Sequence, residues 1–288
     1  MERNSVRIGM LQILVEFSRP TANLLRAELA VREAASQGAE ICILPEALDL
    51  GWANPEAVTL ATPIPGPVSN RLASIAKDHK VWLVAGMTER VNAASASDST
   101  PADRIYNTAL LISPEGKILA KHRKINILTG VEDVYSIGDR LSVTETPLGR
   151  IGIDICADNT LTSIEIGHVL ARMGAQMILS PCAWAVLPDR DPVKEPYGNE
   201  WHVPYGQLSS LYHIPIIGVS NVGQVTAGSW KGWKAIGNSI AYGRDGKVLD
   251  ILPYGENAST VRVLDVEIGD GTESGTALSG RVYHEMHA

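Results

Sequence analysis

Short apolar runs alternate along the chain with stretches of helical spacing. "VRIGMLQIL" (6–14) interleaves apolar residues with small or polar ones and predicts a strand. "TANLLRAELAVREAASQGA" (21–39) carries Leu24, Leu25, Leu29 and Val31 near helical spacing, with Thr21 as N-cap and Gly38 as stop. "ICILPE" (41–46) then reads as a buried strand closed by Pro45. The order repeats, with a helix over Val68–Lys80 followed by a strand in "VWLVAGMTER" (81–90). "YNTALLISPEGKILAKHRK" (106–124) predicts a hairpin, because "SPEG" is a turn between two apolar runs.

The second half has the same grammar. Residues 149–181 supply a strand, a helix and a strand; "HIPIIGVSN" (213–221) is one more strand. "GNSIAYGRDGKVLDIL" (237–252) is a hairpin turning at "RDG", and "STVRVLDVEI" (259–268) a last strand. The polar stretch "NAASASDSTPAD" (92–103) predicts a mobile loop. Crossover units mixed with hairpins imply an α/β layered fold with helices outside the sheets. No linker divides the chain, so residues 1–288 are expected to form a single domain.

With 288 residues, 45% of them hydrophobic, the chain can bury a large core. A net charge of −7 with scattered Lys and Arg argues against nucleic acid or an anionic membrane as partner. The N-terminus lacks the long apolar core of a signal peptide, and no apolar run approaches membrane-spanning length. Three cysteines do not make a disulfide framework, so reduced thiols in a cytoplasm are expected.

Of those cysteines, Cys42 lies inside an apolar strand and reads as core, and Cys182 follows a strand in "ILSPCAW". Cys156 differs: it ends a strand just before a helix that Asn159 or Thr160 would cap. Ligands of open α/β sheets bind at such edges, and a helix N-terminus favours thiolate. On position alone, a packed thiol fits as well as a reactive one. A reactive thiol needs partners. Glu46 in "LPEALDLGW" and Lys124 in "KHRKIN" each stand at a strand end, and Glu132 in "VEDVYSIGD" is a further loop acid. Each alone also fits a solvated surface charge. Rival signatures are weak. There is no GxGxxG, the histidines form no HxH or HExxH pair, and His284 and His287 lie in a tail. Ser239 in "GNSIA" leads into a hairpin rather than a nucleophile elbow's helix.

Taken in order, these stretches resemble the nitrilase (carbon–nitrogen hydrolase) superfamily over nearly the whole chain. "LPEALDLGW" resembles its glutamate block, "KHRKIN" its lysine block and "GRIGIDICAD" its cysteine block. "VEDVYSIGD" is similar to the stretch with an additional glutamate; "LARMGAQMILSP", "VSNVG" and "GNSIAYGRDGKVL" fill the remaining landmarks. The resemblance implies a four-layer αββα sandwich and a catalytic set of Glu46, Lys124 and Cys156, with Glu132 as fourth member. It implies no metal or organic cofactor. It also implies a homodimer or higher homo-oligomer, with the tail (about 270–288) at the interface.

The implied activity is hydrolysis of a small amide, ω-amide or N-carbamoyl compound, with nitrile hydrolysis as the alternative and a catalytically silent scaffold as the rival class. Two positions depart from the family pattern, Asn126 where histidine is common and Ala157 where an aromatic residue often follows the cysteine. Asp158 and Asn159 are expected to organise the helix start. Trp52, Ala157, Cys182, Trp184 and Asn221 are expected to bind substrate, with Tyr197 and Trp201 of the 183–201 loop as further wall residues.

Overall fold

The computed structural model describes residues 4–92, 103–271 and 286; most of the 92–103 loop and of the 270–288 tail, two of the expectations above, lies outside the described residues. Strands β1 (Ser5–Gln12), β2 (Ile41–Ile43), β3 (Trp82–Val91), β4 (Arg104–Ile112) and β5 (Ile118–Arg123) occupy the first half. The second half carries β6 (Val143–Thr146), β7 (Gly149–Ile153), β8 (Met177–Cys182), β9 (Ala185–Val186), β10 (Ile216–Ser220), β11 (Val222–Gln224), β12 (Lys234–Ile236), β13 (Ile240–Tyr242), β14 (Val248–Ile251) and β15 (Thr260–Glu267). Helices are α1 (Pro20–Ser36), α2 (Ala57–Leu60), α3 (Pro67–His79), α4 (Ile164–Arg172) and α5 (Asn199–Tyr212).

Two six-stranded sheets form the centre, ordered β15-β1-β2-β3-β4-β5 and β14-β13-β10-β8-β7-β6. Each has a parallel core of three strands, β1-β2-β3 and β10-β8-β7, flanked by antiparallel strands. The hairpins predicted at "SPEG" and "RDG" are β4-β5 and β13-β14. Ile8, Met10, Ile43 and Val84 of the first sheet pack with Ile151, Ile153, Met177 and Leu179 of the second. On the outer face of the first sheet, α1 and α3 pack through Leu24, Ala27, Val31, Leu72 and Ile75. Leu170 of α4 and Leu208 of α5 cover the second. The layers are therefore helix, sheet, sheet, helix, and "ICILPE" is a continuous apolar run because its strand is covered on both faces.

Local details differ from the sequence reading where packing outweighs periodicity. Leu25 and Leu29 are exposed, and the buried stripe of α1 is built from Leu24, Ala27, Ala30, Val31 and Ala34. Small residues let the helix sit close to the sheet: a Cβ placed on Gly9 of β1 would already stand 3.1 Å from the Ala34 Cβ. Thr21 is not the cap. The helix starts at Pro20, whose missing N–H costs nothing in a first turn. No helix among the described residues is long and apolar enough to cross a membrane.

Candidate active site

The carboxyl ends of parallel strands from both sheets meet at one place, the position at which α/β sheets bind ligands. Glu46 follows β2, Cys156 follows β7, Cys182 ends β8, Asn221 follows β10, and Lys124 follows the hairpin strand β5. The main chain around Glu46 fits against Gly86 of β3, where a Cβ would stand 2.5 Å from the Glu46 Cα. Only glycine permits that approach.

Glu46, Lys124 and Glu132 are fully buried and joined. The Lys124 Nζ donates to Glu46 Oε1 at 2.9 Å and to Glu132 Oε1 at 2.7 Å. Glu132 is saturated by further donors, the Trp52 indole N–H at 2.6 Å and the Leu128 backbone N–H at 2.9 Å. Glu46 is not. Its Oε1 also accepts from Asn107 Nδ2 at 2.6 Å, whereas its Oε2 is buried without a hydrogen-bond partner. Burial, with the Glu132 charge adding to it, raises the Glu46 pKa against the pull of Lys124. Burial lowers the Lys124 pKa, but Glu46 and Glu132 outweigh it and hold the ammonium charged well above its ordinary range.

Cys156 lies within electrostatic reach of both Glu46 and Lys124. It adopts the left-handed backbone conformation, φ 48°. A side chain rarely tolerates that without compensation, and the surroundings supply it. The Cys156 N–H donates to Ser180 Oγ at 3.1 Å. The Asp158 carboxylate accepts from the backbone N–H groups of Ile125, Asn126 and Ile155 and contacts His122 Nε2 at 2.8 Å. Asn126 Nδ2 and Ser163 Oγ both donate to the Ala157 carbonyl, each at 2.6 Å. Asp158 therefore clamps the Lys124 segment to the cysteine turn, and Asn126, the departure from the family pattern, is part of the same clamp.

The helix expected directly after Cys156 is a correction. Residues 156–159 and 161–163 form two short 3₁₀ turns, and α4 begins only at Ile164, with Ser163 at its N-cap position instead of Asn159 or Thr160. The helix-terminus argument for a ready thiolate therefore fails. Burial pushes the Cys156 thiol well above its ordinary range, Cys182 and Glu46 add to this, and Lys124 only partly offsets it. A base must take the proton during the reaction. Cys42, buried inside β2, has its thiol pushed up to about 12 by burial and has no such base.

A cavity of about 420 Å³ opens onto the turn, lined by Cys156 and Ala157 and walled by Trp52, Trp184, Tyr197 and Trp201. Cys182 is fully buried behind Cys156, contacting Ser180 and Tyr205, and Asn221 is 5% exposed; neither lines the cavity. Sequence reading missed Asn107, which holds Glu46, and the wall residues Trp230 and Trp233. The spacing of two tryptophans in "GSWKGWK" was the one available signal.

Asp154, two residues before Cys156, was missed too. It is fully buried, and neither carboxylate oxygen reaches hydrogen-bond geometry with a neighbour. Burial, helped by Asp158, raises its pKa to about 7, although Ser180, His122 and Asn159 pull it partly back. A folded value above the unfolded one of about 3.9 means that the native state holds the extra proton. Its contribution is thus present below pH 4 and lost as pH rises to 7, at about 1.4 kcal/mol per pH unit. Asp154→Asn removes this titration and offers an N–H to the unpartnered Asn159 Oδ1. Relative to wild type, the variant is expected to gain about 2–3 kcal/mol between pH 5 and pH 8 in urea unfolding. An unchanged difference across that range would refute the assignment.

The chain's residues 7–273 match the family model described as carbon-nitrogen hydrolase. Omega-amidase NIT2 of Mus musculus is 31% identical over 190 residues, and that of Homo sapiens 31% over 189. The mouse alignment covers 63% of this chain and 64% of the relative, so the chain spans less than two thirds of that protein's length. An amidase from Nesterenkonia sp. AN1, solved with a covalent acetamide adduct on its active-site cysteine, superposes with a TM-score of 0.73 at 21% identity, covering 92% of each chain. Nit3 of Saccharomyces cerevisiae superposes at 0.74 and 19% identity over 98% of this chain and 94% of its own. The matched family model and the shared α/β sandwich make this chain a member of the carbon–nitrogen hydrolase family.

Proposed function

We propose that this protein is a thiol amidase that hydrolyses the non-peptide C–N bond of a small amide through a thioester on Cys156. One observation carries the reading: the Glu46 carboxylate keeps one oxygen without a protein partner in a buried site that it shares with a buried ammonium and a thiol. Glu132, whose oxygens accept from Lys124, Trp52 and Leu128, positions Lys124. The mammalian omega-amidase relatives support an amide as substrate, and the acetamide moiety of fluoroacetamide joined to the active-site cysteine in a mutant of the Nesterenkonia amidase supports a nucleophilic cysteine.

The steps follow from that arrangement. Glu46 takes the Cys156 proton as sulfur attacks the amide carbon, because the raised thiol pKa leaves too little thiolate unaided. Negative charge then develops on the amide oxygen, and Lys124 and the Ala157 N–H are the donors at hand. One such donor is worth about 10²–10³ in rate. The C–N bond breaks as Glu46 returns its proton to the leaving nitrogen. Water, deprotonated by Glu46, cleaves the thioester, and the proton returns to sulfur. The carboxylic acid and ammonia or an amine leave.

A homodimer fits the surface, because the outer layer of the second sheet exposes Val169 of α4 and Leu211 of α5, together with Leu161 and Met173 in the turns flanking α4. Three free cysteines, all buried, fit a reducing cytoplasm. The test of function is released ammonia from matched amides, N-carbamoyl amines and nitriles. Amide turnover exceeding that of the matched nitrile is expected. The reverse order would make the protein a nitrilase, and ammonia from none of them would make it a silent member of the family.

A further inference from the structure

The chain has six tryptophans, and five of them, Trp52, Trp184, Trp201, Trp230 and Trp233, line the cavity above Cys156. They form two tiers. Trp184 stacks on Trp201 with ring centroids 4.9 Å apart, and Trp201 donates its indole N–H to the Tyr197 hydroxyl at 2.8 Å. Opposite, Trp230 stacks on Trp233 at 4.0 Å and meets Trp52 edge-on at 4.9 Å. The stacking and the indole hydrogen bond fix the rings, so the walls are formed before a substrate arrives. Rigid aromatic walls gain most from a second ring, through area burial and ring–ring geometry. A two-carbon acyl group leaves most of about 420 Å³ unfilled.

The charge at the mouth narrows the class further. Asp189, Glu195 and Glu200 are exposed there, and among the described residues Arg190 is the one cation lining the cavity. Arg190 is already engaged. Its Nε donates to the Glu195 carbonyl and its Nη2 to the Pro196 carbonyl, both at 3.1 Å, and its guanidinium lies 5.3 Å from the Tyr197 ring centre. Lys231, between Trp230 and Trp233, and Lys234, the first residue of β12, do not line the cavity. Lys124 does not line the cavity either and is buried between two carboxylates. A substrate carboxylate at the far end of the acyl chain would therefore meet three acids and, among the described residues, a single lining cation, Arg190, two of whose five N–H groups are already taken. A positive group would meet acids and aromatic faces, both attractive.

Building on the amidase reading, we infer that the substrate's acyl group bears an aromatic ring and carries no negative charge at its far end. The amide of a carboxylate-ended acyl chain is the class this mouth disfavours.

The experiment uses 3-phenylpropionamide, its para-carboxylate and para-trimethylammonium derivatives, and propionamide. For the wild-type protein, kcat/KM is read from ammonia release. For Cys156→Ala, Kd is read from tryptophan fluorescence, which reports the cavity without needing turnover. The phenyl amide is expected to exceed propionamide at least thirtyfold in kcat/KM. The ammonium derivative should match or exceed the phenyl amide, and the carboxylate derivative should fall at least tenfold below it, with the same order in Kd. Asp189→Asn combined with Glu195→Gln and Glu200→Gln should shrink the ammonium-to-carboxylate ratio at least fivefold. Carboxylate preference, or propionamide equal to the phenyl amide, would overturn the inference while leaving the amidase reading standing. The predicted order in Kd with no ammonia from any amide would do the opposite, sinking the amidase reading alone.

Discussion

Exchanging Cys156 for alanine is expected to lower kcat on the best amide by at least about 10⁴-fold while the fold persists, as befits loss of a covalent nucleophile. The two halves of that expectation come from different physics. Turnover fails because no other group can form the acyl intermediate: Cys182 lies behind the turn, outside the cavity, and Cys42 is sealed within β2. Folding survives because the turn is held by main-chain and neighbouring groups. The Cys156 N–H still reaches Ser180, Asp158 still gathers three backbone N–H groups, and alanine accepts φ 48° no worse than cysteine does. The deleted sulfur leaves a small gap next to the cavity, a cost of about 1 kcal/mol. Ammonia release and thermal unfolding, measured on the same preparation, separate the two halves. Residual activity within tenfold of wild type would remove Cys156 from the mechanism, and a variant that fails to fold would make it a packing residue.

Which parts of the site were legible in the sequence follows from what a side chain needs locally. Glu46 and Cys156 stand at ends of apolar runs and Lys124 at the end of a hairpin strand, and strand ends are where a pattern of twofold or continuous hydrophobicity stops. Their convergence was not encoded in any run. It depends on β2 and β7 belonging to different sheets that pack face to face, a tertiary fact that only the order of family blocks implied. Asn107 was invisible for a related reason: it sits within a fully buried stretch of β4, where an isolated polar residue gives no periodic signal. The left-handed turn at Cys156 was misread because "CADNTLTSIE" has capping residues at several positions, and tertiary bonds to Asp158 selected two 3₁₀ turns over an early helix. Leu25 and Leu29 of α1 show the converse. They satisfy helical spacing yet face outward, because close approach to Gly9 requires alanines on the inner stripe.

Removing the ammonium is expected to damage stability as well as activity. In Lys124→Met the side-chain volume is nearly kept, but Glu46 and Glu132, both fully buried, lose the cation between them. Breaking a buried ionic cluster by deleting one partner costs about 3–5 kcal/mol, far more than exchanging the whole cluster for apolar groups. Glu46, already raised by burial and by the Glu132 charge, loses the opposing pull of Lys124, so its folded pKa rises further above the unfolded glutamate value of about 4.3. The sign follows directly. The native state then binds more protons than the unfolded chain, so the variant is closest to wild type below about pH 4.3 and loses ground as pH rises through the raised folded value. Urea unfolding at pH 5 and pH 8 should show the deficit widening at the higher pH. Adding Glu132→Gln, which removes one of the two facing charges, should recover part of the stability at pH 8 but none of the turnover, since Glu46 and the substrate oxygen still lack the ammonium. A Lys124→Met protein as stable as wild type at pH 8 would mean that solvent reaches the cluster and that the site is not dry. The raised pKa of Glu46, on which its role as base depends, would then lose its cause.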